Sequence, residues 1–222
     1  MTTRHAATLA LAAALALLTA CAPATHTTIT RPPLRPPLTP AADYHPNEPG
    51  VTLTYLDETG GAYRLTTLAP TLLTGTPHQH QRYEGPAGAR ETYRIINDSG
   101  VHLARIDDDS GVTTYDPPLL ELPPAGRLQV GLTWGGESTA RHYQSAEAAR
   151  PDDITTVAYL HTVTDTLNVR IGDHRVTTYL IATEEYHRRG DDITTSRRTR
   201  WYAPYWGDVI NASGHRLEDL RD

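Results

Sequence analysis

The 222-residue chain contains no lysine, no phenylalanine, one methionine and one cysteine. That cysteine, Cys21, lies in the N-terminal stretch. From residue 22 onward there is no thiol, which excludes disulfides, thiolate nucleophiles and cysteine metal sites in the body of the chain. Arginine is the only strong base, with 20 arginines against 26 acids and a formal charge of -6. Its exclusive use in place of lysine reads as coding bias. A net acidic chain with dispersed arginines does not fit a nucleic-acid partner. There is no Gly-x-Ser-x-Gly elbow, no His-Glu-x-x-His and no phosphate-cradling glycine loop, so sequence motifs give no enzymatic chemistry. The expectation is a non-enzymatic protein without a cofactor.

What is present begins with a leader. Arg4 and His5 precede an apolar run from Ala6 to Leu18, which ends at Leu18-Thr19-Ala20-Cys21. Those ~13 residues rise only about 20 Å as a helix, short of a hydrocarbon core of about 30 Å, so a permanent transmembrane helix is not expected. Leu-Thr-Ala-Cys resembles the lipobox of bacterial lipoproteins. The resemblance implies cleavage before Cys21, a diacylglycerol thioether on its sulfur and an acylated amine, which together hold a protein on a membrane. Ala22 follows, where enterobacterial lipoproteins kept at the inner membrane usually carry Asp. The expected location is therefore the outer membrane, facing the periplasm. An ordinary signal peptide cut after Ala22 or Ala24 is the alternative.

Residues 1–20 thus read as signal peptide, 21–50 as lipidated cysteine and tether, and 51–222 as one domain. Eight prolines fall between Ala22 and Gly50, including Arg31-Pro32-Pro33-Leu34-Arg35-Pro36-Pro37-Leu38. Proline fixes φ and removes the amide donor, so this stretch reads as a polyproline II spacer reaching at most roughly 90 Å. The paired Arg-Pro-Pro-Leu segments are otherwise a ligand for a proline-reading partner.

Past Val51 the chain, which has 33 threonines and 12 tyrosines over its full length, reads as strand and turn, since these types suit a pleated, half-buried surface. Val51 to Leu56 alternates, turns at Glu58-Thr59-Gly60-Gly61 and returns from Ala62 to Leu68. Further strands are expected over His78 to Glu84, Glu91 to Ile96, Val101 to Ile106 and Val112 to Tyr115, separated by Asn, Asp and Gly turns. Asp116 to Pro124 is expected to break the sheet, and Leu128 to Trp134 to re-enter it. Ser145 to Asp153 has room for one helical turn. Ile154 to Thr164 and Thr166 to Ile171 follow, the latter with Leu167, Val169 and Ile171 on one face. Gly172-Asp173 turns into Val176 to Tyr186, and Gly190 centres a loop into Ile193 to Tyr202, placing Tyr179 near Trp201. Long consecutive hairpins predict an all-β antiparallel meander that curls into a half-barrel or barrel, because closure removes exposed edges. A two-sheet sandwich is the alternative.

The proline-rich loop, Leu128-Gln129-Val130-Gly131-Leu132-Thr133-Trp134, the central hairpin and Trp201-Tyr202-Ala203-Pro204 followed by Gly207 together resemble the uncharacterised TapB-like group of bacterial envelope lipoproteins. The resemblance spans about Pro117 to Ile210. It departs at Gly172-Asp173-His174, where the group often has an aromatic after the glycine, and at Asp208, where it commonly has an apolar residue. It implies an all-β fold and an envelope location and carries no activity.

Five aromatics, Trp134, Trp201, Tyr202, Tyr205 and Trp206, stand out as candidates to line a ligand mouth; alternatively they fill the core in place of phenylalanine. His78 and His80 point the same way on a strand and form half of a possible metal site, with no further ligands at recognisable spacing. Asp107 to Gly111 has the acids of a calcium loop but no glutamate at its twelfth position, and a hairpin turn accounts for it. The expected role is a binding or assembly module presenting a sheet edge or aromatic mouth to an unknown envelope protein. A carrier of a small apolar ligand, with Trp134, Leu167, Val169, Ile171 and Trp201 around a cavity, and a hydrolase of envelope polymer are the alternatives.

Overall fold

The computed structural model describes residues 48–86, 88–123, 128–171 and 174–221. The leader with Cys21, the proline-rich tether up to residue 47 and the Gly172-Asp173 turn lie outside them. Twelve antiparallel strands follow one another in order: β1 Thr52–Leu56, β2 Ala62–Leu73, β3 Thr76–Gly85, β4 Gly88–Asn97, β5 Gly100–Asp108, β6 Gly111–Leu122, β7 Thr133–Tyr143, β8 Asp153–Ile171, β9 His174–Arg189, β10 Asp192–Ala203, β11 Gly207–Ile210 and β12 Arg216–Arg221. Each pairs with its sequence neighbours, and β1 pairs with β12, so the meander closes into a barrel. The closing register sets Leu53 against Leu220 and Tyr55 against Leu217. The barrel is the expected fold class; the sandwich is not formed.

The alternating pattern decides which side of each strand faces in. On β1, Leu53 and Tyr55 are buried while Thr52, Thr54 and Leu56 are half-buried. The interior holds two apolar clusters. One joins Val51, Leu53, Tyr55, Ile171, Ala203, Trp206 and Leu217. The other joins Val101, Leu122, Leu128, Trp134, Val163, Ile181 and Tyr202. Tyrosine and tryptophan take the place of phenylalanine, and their polar ends find partners: Tyr55 Oη donates to the Asp208 carbonyl at 3.0 Å, and Trp134 Nε1 to the Leu120 carbonyl at 3.2 Å. A polar strip lies alongside, in which Arg94 pairs with Glu121 at 2.5 Å and donates to Gln81 Oε1 at 2.9 Å and Thr92 Oγ1 at 2.6 Å. Glu121 reaches this strip because the β5–β6 register shifts between Val101/His102, leaving it as the extra residue of a bulge.

The outer surface is charged. On the β9–β10 hairpin Glu184 pairs with Arg197 at 3.1 Å on this outer side, whereas Glu185, on the opposite side of the strand and buried, pairs with Arg198. The adjacent glutamates therefore face opposite ways, as strand geometry requires. Among the described residues the exposed large apolar side chains are Leu72, Val130, Ile154, Leu160, Leu167, Tyr186 and Ile193.

Several local expectations are corrected. Asp116 to Leu122 does not break the sheet: β6 runs through Pro117 and Pro118 and ends at Leu122, and Pro117 offers its carbonyl to Ser138 Oγ at 2.7 Å, while Pro124 lies outside the described residues. This is possible because Tyr115 to Pro118 stand against Ala104 alone in the β5–β6 register, so no ladder donor is required of either proline. Of the Leu128 to Trp134 segment only Thr133 and Trp134 belong to a strand; Gly131 has φ of 87° and turns the chain into β7. Ser145 to Asp153 holds no helical turn and is fastened by Asp152, whose carboxylate accepts from the Gln144 amide at 2.8 Å. The two segments around Asp165 form one strand, β8, with a register shift between Val163 and Asp165. The β9–β10 turn is the two-residue Gly190-Asp191, so Tyr179 pairs with Tyr202 and not with Trp201. A one-residue offset changes the face.

Glycine is required where strands touch. Gly111 has φ of 133°, and a Cβ there would sit 2.1 Å from the Tyr143 carbonyl oxygen. Gly111→Ala is expected to cost about 2 kcal/mol, measured as a lower urea midpoint with unchanged slope.

Candidate functional site

Strand lengths create the site. β9 pairs with β10 from Arg189↔Asp192 to Tyr179↔Tyr202 and then continues to His174 on β8, without β10 on its other side, while the chain leaves β10 after Ala203. The numbers of paired residues sum to 381, so Ala203 would face Thr178 next, but the ladder ends at Tyr202 and Ala203 pairs instead with Gly207 of β11. Pro204, one step further and opposite Thr177, has no amide with which to resume it. Trp206 N–H then returns to the Ala203 carbonyl at 3.1 Å, and Tyr205 takes φ of 72° in the tight turn into β11. Between the free β9 edge and this turn lies a cleft of about 340 Å³, lined by His174, Arg175, Val176, Thr177, Tyr179, Pro204, Tyr205 and Trp206.

Its floor is apolar and fixed. Trp206 is 4% exposed and belongs to the cluster of Val51, Leu53 and Ile171, with Val176 and Tyr205 packed against it. The His174 ring stands 5.9 Å from the Trp206 ring at 47°. At the rim are His174, Arg175 and the Thr177 hydroxyl, all exposed. Among the described residues no acidic side chain lines the cleft.

The five candidate aromatics separate. Tyr205 and Trp206 line the cleft. Trp134 and Tyr202 are buried in the other apolar cluster, where Trp134 stacks on His161 at 5.1 Å. Trp201, on the opposite side of its strand from Tyr202, is half-buried and lines no part of the cleft. The residues proposed to surround a carrier's cavity also separate: Ile171 is 1% exposed and Trp134 9%, each in a different packed cluster, while Leu167 is 51% exposed. His78 Nδ1 lies 2.8 Å from the Thr76 carbonyl, and His80 is held by Thr71 at 3.3 Å and Glu91 at 2.9 Å, stacked on Tyr93. Among the described residues no group of three or more His, Cys, Asp or Glu is placed to hold a metal. The acidic run is a turn, with Asp108 accepting from Ser110 N–H at 2.9 Å.

His174, Arg175, Val176, Thr177 and Tyr179 were missed by sequence reading. Pro204, placed where a long hairpin should still be paired, is the signal that could have found them.

The fold defines a class, closed antiparallel meander barrels with a packed interior. Within it the chain is similar to a crystal structure of a protein described as exported, with a YmcC-like fold, from Bacteroides fragilis, at a TM-score of 0.50 and 13% identity over 81% of this chain and 99% of that one. It is also similar, at a TM-score of 0.48 and 12% identity, to a protein described as a lipoprotein from Parabacteroides distasonis, covering 79% of this chain and 97% of that one. No family model and no curated protein matches the chain. The likeness to the first structure concerns the fold alone, and the TapB-like resemblance rests on its short motifs.

Proposed function

We propose that this protein is a lipid-anchored, non-enzymatic binding module of the bacterial envelope, and that the cleft between β9 and the Pro204-Tyr205-Trp206 turn is where it binds. The observation that carries the reading is the combination of a barrel interior occupied by packed side chains with a cleft outside it whose floor is rigid and whose rim is polar. Barrel closure removes terminal sheet edges, so the expected edge contact narrows to the short stretch of β9 that outruns β10. A cleft of this volume falls within the range of small-ligand sites. Side chains in both apolar clusters occupy space that a carrier would keep for cargo, which favours the module over the carrier.

The anchor is Cys21, in the outer membrane and facing the periplasm, with the proline-rich segment as spacer. Cys21→Ser is expected to move the protein from the membrane fraction to the soluble fraction and to abolish metabolic labelling with palmitate; retention of label would refute the anchor. For the cleft, a photo-crosslinking residue at Tyr205 is expected to give a discrete adduct in the living host that disappears when Thr177→Trp fills the space. An adduct unaffected by Thr177→Trp would place binding elsewhere.

A further inference from the structure

We infer that the protein reads its own proline-rich tether: an Arg-Pro-Pro-Leu segment within Arg31 to Leu38 docks in the cleft and closes it to other ligands until one displaces it. The inference rests on the cleft being the binding site and adds how that site is regulated.

The place where the described chain begins is the first support. Val51 N–H donates to the Glu48 carbonyl at 3.3 Å and Gly50 has φ of 92°, so Glu48-Pro49-Gly50-Val51 is a turn with proline second and a positive-φ glycine third. Val51 belongs to the same apolar cluster as Trp206, against which Val176 and Tyr205 pack. The chain therefore enters the barrel beside the floor of the cleft, and at Glu48 its direction is reversed instead of continuing straight on from β1. Leu38 lies ten residues before Glu48, a length that reaches about 30 Å as polyproline II and averages about 17 Å as a coil. A folded domain of this size has a radius of gyration of about 16 Å. Either conformer spans the distance.

The second support is chemical. Proline-rich segments dock in grooves lined by aromatic rings, because a chain already held in polyproline II loses little entropy on binding and lays proline rings against flat apolar surface. The cleft offers that surface: Tyr179 comes from β9 and Tyr205 from the turn after β10, with Val176, Pro204 and Trp206 in the same lining. The Thr177 hydroxyl and the two tyrosine hydroxyls are donors for the carbonyl groups that polyproline II leaves without internal partners. Attachment to the barrel then raises the local concentration of the segment to the order of 1 mM. A segment that binds at about 0.1 mM as a separate peptide keeps its own cleft occupied about ten to one, and a competing ligand binds about tenfold more weakly than it would to an empty cleft.

The test compares the soluble Cys21→Ser protein with the same chain carrying Pro32→Ser, Pro33→Ser, Pro36→Ser and Pro37→Ser, changes that leave every described residue intact. A fluorescein-labelled peptide of residues 30–39 is expected to bind the second chain about tenfold more tightly, because the chain's own segment no longer competes. Thr177→Trp in that chain is expected to abolish the binding. In the first chain, a photo-crosslinking residue at Tyr205 is expected to give in dilute solution an intrachain cross-link to residues 31–38, mapped by mass spectrometry. Equal peptide affinity for the two chains overturns self-occupancy, a cross-linked dimer assigns the cleft to a second copy, and peptide binding that survives Thr177→Trp places the segment elsewhere. No peptide binding and no intrachain cross-link, with the Tyr205 adduct still formed in the living host, overturns the inference and leaves the cleft as a binding site; loss of that adduct as well removes the cleft with it.

Discussion

Arg94→Ala is expected to lower the free energy of unfolding by about 4 kcal/mol, the cost of leaving one charge of a buried pair without its partner. Arg94 is held by four side-chain atoms: Nε donates to Glu121 at 2.5 Å, Nη2 lies 3.5 Å from the other Glu121 oxygen, and Nη1 donates to Gln81 and Thr92. Both charges are substantially shielded, with 12% of the Arg94 side chain and 22% of the Glu121 side chain exposed. Alanine removes the donor, leaves the carboxylate in a poorly hydrated strip and takes one hydrogen bond from the side-chain oxygen of Gln81, which is 1% exposed. Folded proteins have only about 5 to 15 kcal/mol in total, so the variant is expected to be close to unfolding at physiological temperature. Urea denaturation of the single variant, of Glu121→Met and of the Arg94→Met Glu121→Met double variant separates the pair from the packing. The double variant is expected to be more stable than either single one, because an apolar pair leaves no buried charge. Three equal losses would show that the strip contributes by shape alone.

The same strip marks the boundary of what sequence reading could reach. Alternation over Val51 to Leu56 and the glycine turns made most hairpins legible, because a strand's period and a turn's φ requirements are local. Closure was expected only as a tendency: it depends on β1 meeting β12, some 160 residues away, and no pattern within either strand names the other. The path of β6 through two prolines was not legible, since the rule that proline ends a ladder fails where neighbouring residues bulge and no donor is called for. Register was missed by one residue because Gly190 suggested a centre that actually falls between Gly190 and Asp191. That single offset sent Tyr202 into the core beside Tyr179 and Trp201 to the other side. It also explains the aromatic candidates: residue type identified a cluster in sequence, but the alternation of β10 and the turn after Ala203 distributed it over three environments. The cleft depends on unequal strand lengths, which become visible only once the register is known.

Register also creates a pH dependence. His161 sits inside the barrel between Trp134 and Tyr159, ring centroids 5.1 and 5.5 Å away, with Nδ1 2.8 Å from Thr183 Oγ1. Burial, helped by the nearby charges of Arg200 and Arg198, pushes its pKa down from the usual 6.5 to about 3, against a weaker opposing pull from Glu121. The folded protein therefore keeps this imidazole neutral at a pH where the unfolded chain protonates it. Between about 6.5 and about 3 the unfolded state binds more protons, so stability falls as pH falls, at about 1.4 kcal/mol per pH unit from this one group. From pH 7 to pH 4 the loss reaches about 3 kcal/mol, and below the folded pKa it stops growing. Above 6.5 His161 is neutral in both states and contributes no slope. His161→Gln removes the titration, and urea midpoints measured across this range are expected to fall less steeply for the variant than for the natural protein. The difference in slope is the reading, since glutamine also gives up the stacking on Trp134 and lowers stability by a constant amount at every pH. Parallel curves would place the acid sensitivity in the carboxylates, whose partners lose their counter-charge on protonation. Curves that converge towards low pH would assign it to a histidine that the barrel admits only without its proton.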